Sequence, residues 1–100
     1  MPKGYWIAQV DVADTEKYKA YIQANAIPFK KFGAKFLVRA GRFEIPEGTS
    51  RSRNVVIEFP TYQAALDCWK SSEYQEALKL RLQVSIVDLV IAEGCNGPQP

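Results

Sequence analysis

Glu58 is the residue of this chain whose position most demands a chemical explanation. It interrupts an apolar run, Val55, Val56, Ile57, Glu58, Phe59, and a carboxylate taken out of water without a partner is expensive. Read as a strand with Val55, Ile57 and Phe59 facing helices, the segment turns Asn54, Val56 and Glu58 to the opposite face. The same alternation brings Gln9, Arg39 and Asp88 to that face, one polar side chain from each of the other apolar segments. Arg39 is then the expected ion-pair partner of Glu58. Such a pair adds little net stability but shapes a polar interior. Two readings stand side by side here, a structural pair and a ligand contact. In the second, Glu58 or Asp88 serves as acid or base, and Arg39 or Arg81 stabilises charge.

Four further residues combine an apolar body with a polar or cationic tip. Trp69, Tyr74 and Arg81 fall near the junction of two helical patterns, and Tyr21 lies on an earlier one. A ring, a phenol and a guanidinium can line a pocket mouth, and each can equally finish a core. Arg39, Arg42, Arg51 and Arg53 flank a long connection, where they either grip a small anion bidentately or pair with nearby acids such as Glu44 and Glu47. The functional cavity is expected between sheet and helices, with Arg39, Glu58, Trp69, Tyr74 and Arg81 nearest to it.

Composition narrows the chemistry. The chain has 100 residues and no histidine, which excludes histidine triads, a histidine base, and histidine-ligated zinc or haem. Cys68 and Cys95 are far apart and lack metal-knuckle spacing, so free thiols are expected, with no metal and no cofactor. A net charge of +2 is too mild to point to nucleic acid, and Arg53 to Phe59 lacks the Gly-aromatic pattern of RNA-binding sheets. No apolar run approaches the roughly 18 residues of a membrane span, and the first residues have no signal-peptide core, so a cytoplasmic location is expected.

The elements that position these side chains follow from periodicity and punctuation. Tyr5 to Val12 reads as a strand with apolar residues on both parities. Asp14 caps a helix whose face carries Tyr18, Tyr21, Ile22, Ala26 and Phe29, with Lys30 and Lys31 at its cationic end and Gly33 closing it. Pro28 removes a backbone donor, which predicts irregularity between Asn25 and Phe32. Lys35 to Ala40 is a second strand, followed by a connection to about Ser52 that contains Pro46 and Gly48 and suits a functional loop or a dimer arm. Arg53 to Phe59 feeds, after Pro60, a helix starting at Thr61, and Ser72 with Gln75 has capping-box form for the next. Ser85 to Ala92 closes the pattern. Residues 1–93 are expected to form one domain, with 94–100 a fraying tail.

Strand, helix, strand, strand, helix, strand is the split βαβ order of an α+β, ferredoxin-like βαββαβ fold with a four-stranded antiparallel sheet. Right-handed crossovers place the first and third strands in the middle. One sheet face takes the helices. The other would leave apolar side chains in water, and packing two such faces together in a homodimeric barrel covers them.

Gly4-Tyr5-Trp6, Asp14 with Tyr18 and Tyr21, Gly33, Arg39, Glu47-Gly48, Arg53, Val55 to Pro60, Trp69, Ser72 to Tyr74 and Arg81 together resemble the domain of unknown function 1330 family over nearly the whole chain. That resemblance implies a dimeric α/β barrel and carries no established activity. Asn25 on the first helix is similar to the asparagine that assists, with tryptophan, in cofactor-independent monooxygenases of the same superfamily; the haem-binding version lacks its iron ligand here. Two functions are therefore expected. One is a homodimer that binds a small organic molecule, an anion among the candidates, with or without cofactor-free catalysis. The other is a non-catalytic binding or stress-associated dimer.

Overall fold

The computed structural model describes residues 2–100. Its elements are β1 (Gly4–Val12), α1 (Thr15–Lys31), β2 (Lys35–Arg39), β3 (Arg53–Phe59), α2 (Tyr62–Lys70), α3 (Ser72–Leu82) and β4 (Ser85–Glu93). The antiparallel sheet has the order β2-β3-β1-β4, so β1 and β3 are central, as the crossover rule requires. This is the ferredoxin-like α+β arrangement expected from the sequence. The helices cover one face only, and the molecule is a slab measuring 43 × 36 × 16 Å.

Trp6, on the helix side of β1, is the hub of the core. Only 2% of it is exposed, and its indole N–H donates to the Ala65 carbonyl at 2.9 Å, which fixes α2 to the sheet. Its ring meets Tyr74 edge-on at 4.9 Å and Phe29 at 5.3 Å, the geometry that aromatic quadrupoles favour. Phe59 and Trp69 complete the cluster.

The helix ends follow local chemistry, with three departures from expectation. Asp14 and Thr61 cap α1 and α2 through their side-chain oxygens, as their residue types predict. For α3 the cap is Ser71, one residue before Ser72, because Ser71 holds the extended backbone a cap requires and its hydroxyl accepts from Tyr74 N–H at 3.2 Å. Gln75 therefore does not close a capping box; its amide donates to Trp69 O at 2.6 Å. Pro28 does not interrupt α1. It lies near the last turn, where only one internal bond is forfeited, its ring is buried, and Phe32 N–H still reaches Pro28 O at 3.0 Å. The buried face of α1 is also rotated from the expected one. It carries Tyr18, Tyr21, Asn25, Pro28 and Phe29, while Ala26 is exposed and Ile22 lies at the edge.

The register of β2 decides where its side chains go. Lys35 pairs with Glu58 and Phe36 with Ile57, but Val38 pairs with Val56 and Arg39 with Val55. Leu37 is thus an extra residue, a bulge that shifts the alternation by one. Lys35 shares the outer face with Glu58, whereas Arg39 joins Phe36, Val55 and Ile57 on the helix face. The outer face in turn carries one aliphatic row across all four strands, Val38, Val56, Ile7 and Val90.

Gly4 marks a close approach of two backbones. A Cβ there would lie 2.6 Å from both Thr61 O and Tyr62 Cα, atoms that no rotamer can move. Gly4→Ala is predicted to cost about 2 kcal/mol, in the range of overpacking changes, and to lower the melting temperature by roughly 10 °C. Gly41→Ala, with nothing within 4 Å of its Cβ, should melt like the parent in the same circular-dichroism experiment.

Candidate functional site

Between the helix face of the sheet and α1 and α3 lies a cavity of about 120 Å³. Trp6, Phe29, Phe36, Val55 and Ile57 form much of its apolar wall, and Ile22, Arg39 and Ala40 are exposed lining residues that mark where it meets solvent. A dry cavity of about 150 Å³ accepts one benzene, so this one suits a body of about one ring. Its polar lining consists of Tyr18, Tyr21, Asn25, Arg39, Arg53, Tyr74 and Arg81, and no carboxylate lines it.

Arg81 is the deepest charge, only 6% exposed. Its Nε and Nη2 donate to the Tyr74 hydroxyl oxygen at 3.4 Å each, and the guanidinium lies 5.6 Å from the Tyr21 ring centre. Among the described residues no carboxylate lies within ion-pair distance of Arg81, Arg39 or Arg53. Burial works against the Arg81 charge, and the nearby oxygens of Tyr74 and Tyr21 more than offset it. Burial likewise pushes the Tyr74 hydroxyl well above the ordinary tyrosine range, reinforced by Tyr21, so it keeps its proton.

The Tyr21 and Tyr74 hydroxyls are 2.9 Å apart. With its oxygen accepting twice from Arg81, Tyr74 is left to donate to Tyr21. The Tyr21 proton is then unspent in this network, on a hydroxyl that lines the cavity. Asn25, 6% exposed, lines it too. Its side-chain amide makes no hydrogen bond among the described residues, and no fully hidden polar atom lacks a partner, so the free amide atoms border the open space. Nearer the rim, Arg39 lies over Phe36 at 4.0 Å and Arg53 over Tyr18 at 5.7 Å.

The residues singled out from the sequence separate into two places. Tyr21, Arg39, Tyr74 and Arg81 come together around the cavity. Trp69 stands behind it, packed on Tyr74 at 5.4 Å and on Trp6 at 6.0 Å, outside the lining. Glu58 lies on the opposite sheet face, so the expected Arg39–Glu58 pair does not form; the bulge at Leu37 has carried Arg39 through the sheet. Glu58 instead accepts from Lys3 at 3.0 Å and from the Tyr5 hydroxyl at 3.2 Å. The Lys3 bond holds its carboxyl below the usual range. Asp88 is held by Arg51 Nε at 2.8 Å, and Arg51 Nη1 also binds Asp11 at 3.0 Å. Arg51 thus pins the end of the long loop to the outer face of its own sheet rather than gripping an anion.

Sequence reasoning left Tyr18 out of the site, and it reached Asn25 only through a resemblance and Arg53 only as one of four arginines around the long connection. The spacing Tyr18, Tyr21, Asn25 was the available signal, three and four residues apart on one helical face. Burial raises the Cys68 thiol to about 12, which leaves it an inert core group. Among the described residues, no three Cys, Asp or Glu side chains gather as a metal site, and no helix is long and apolar enough to cross a membrane.

Several solved structures share the fold. A protein of unknown function from Rhodopseudomonas palustris, RPA0582, superposes with a TM-score of 0.74 at 20% identity, covering 96% of this chain and 85% of that one. SnoaB from Streptomyces nogalater, described as a cofactor-independent oxygenase, gives 0.65 at 11% identity, covering 100% and 97%. A dimeric ferredoxin-like protein of unknown function from Bacteroides fragilis gives 0.56 at 16%, covering 91% and 95%. At these identities the likeness is one of fold. No curated protein matches the chain. The model of the domain of unknown function DUF1330 matches residues 3–95, nearly the whole sequence, and the chain belongs to that family.

Proposed function

We propose that the protein is a homodimer in which each subunit binds a compact, oxygen-bearing organic anion in the cavity between sheet and helices. The observation that carries this reading is Arg81, a buried guanidinium answered only by phenols, in a cavity that adds two more arginines and no carboxylate. Buried cations are ordinarily paired, and a bound anion supplies the missing partner. The apolar wall and the small volume select a body of about one ring with its charge at one end. Cofactor-free oxygenation, which the description of the Streptomyces neighbour brings to mind, is the enzymatic extension of this reading. The lining has no carboxylate or histidine base, so such a reaction would draw on the ligand's own reactivity.

The dimer is supported by the outer face. Val38, Ile7 and Val90 are 40%, 46% and 59% exposed and form one row with Val56. A second copy of that face is its simplest cover, and a dimeric protein of the same fold is known from Bacteroides fragilis.

Two measurements test these statements. In thermal-shift assays, benzoate and 2-furoate should raise the melting temperature, and the corresponding uncharged amides should not. Arg53→Gln should weaken carboxylate binding about tenfold, the worth of one charge-assisted hydrogen bond; equal responses to acids and amides would reject the anion site. Sedimentation at micromolar concentration should report about twice the 11.3 kDa chain mass, falling to a single chain for Ile7→Lys. A monomeric parent protein would rule the dimer out.

A further inference from the structure

Resting on that anion-site reading, we propose that the cavity selects hydroxyaromatic and enolic compounds and holds them as their conjugate bases, releasing the hydroxyl proton to solvent.

Three groups that offer hydrogen bonds border the same small space: the unspent Tyr21 hydroxyl proton, the unpartnered Asn25 amide and the Arg81 guanidinium. The orientation is directional. Arg81 donates to Tyr74, Tyr74 to Tyr21, and Tyr21 into the cavity, so the chain ends on a donor that needs an acceptor. A neutral phenol would have to accept from these donors while finding an acceptor for its own proton, and no carboxylate stands in the lining to take it. An oxyanion uses the donors and presents no surplus proton. The low-dielectric wall of Trp6, Phe29, Val55 and Ile57 strengthens that preference, because charge–dipole attraction grows as water is excluded.

The volume favours a compact acid. About 120 Å³ is taken up by a single ring, so an oxygen bonded directly to the ring, or to an enol carbon of similar size, stays beside Tyr21, Asn25 and Arg81. The bound step is a simple heterolysis. The O–H bond breaks, both electrons remain on oxygen, the proton passes to water or buffer, and nothing is oxidised or reduced.

The test uses 4-nitrophenol, whose phenolate absorbs visible light and whose neutral form does not. At a pH one unit below the free phenol's own midpoint, adding protein should make the visible band grow. The apparent midpoint should fall by about one unit, a tenfold preference for the anion. Tyr21→Phe keeps the ring packing and removes the terminal donor, and it should abolish most of that shift while melting within a few degrees of the parent. 4-Nitroanisole, which has the same body and no acidic proton, should fail to compete. Binding of 4-nitrophenol with the spectrum of its neutral form, or equal binding of the anisole, would overturn the inference. If benzoate binds and the nitrophenol band stays flat, this inference alone falls. If neither compound binds, the anion site falls with it.

Discussion

The contact between the hydroxyls of Tyr21 and Tyr74 ties the two sides of this molecule together. It is a 2.9 Å bond between α1 and α3, and it stands where the aromatic core ends and the cavity begins. The Tyr74 ring belongs to the core, against Trp6 and Trp69. Its oxygen belongs to the cavity, where it receives Arg81. Desolvating a guanidinium costs several kcal/mol even after relaxation, so Arg81 can remain buried only while these phenols are held in place. The packing around Tyr74 and the polarity of the cavity are therefore one constraint.

The sheet divides its polar residues by face, and the division has separate consequences. Around the cavity lie donors and arginines without carboxylates. On the outer face every acid of the strand cores is answered within the chain: Glu58 by Lys3 and Tyr5, Asp11 and Asp88 by Arg51. Ser52 adds a backbone bond to Asp11 at 2.9 Å, so the long loop between β2 and β3 is anchored at its far end. Its Phe43 and Ile45 remain 44% and 45% exposed.

Much of the architecture was legible in the sequence because it rests on short-range rules. Alternation marked the strands, glycine and proline marked their ends, Asp14 and Thr61 announced their helices, and the crossover rule ordered the sheet. The placement of the polar side chains was less accessible. Arg39 and Glu58 are four strand positions' worth of inference away from each other, and one unpaired residue at Leu37 reverses the outcome; no glycine or proline marks that bulge. Asn25 was missing from the helical pattern for a different reason. A helical face chosen for apolarity prefers Ala26, and only tertiary packing shows that the buried stripe runs through an amide. Ser71 and Ser72 are chemically equivalent as caps, and the backbone turn after α2 chooses between them.

The bulge also bears on how such a cavity changes over generations. Most substitutions alter a side chain where it stands, and a charge crosses a sheet only when the strand's count changes. Taking Leu37 into regular pairing opposite Val56 would move Val38 opposite Val55 and Arg39 opposite Asn54, on the outer face. One slip of register would thus subtract a cation from the cavity rim and add one to the opposite surface, with no residue exchanged. In an edge strand, where only one neighbour must re-register, that route is open, and descendants separated by such an event would look nearly identical when aligned letter by letter while presenting different charges to whatever they bind.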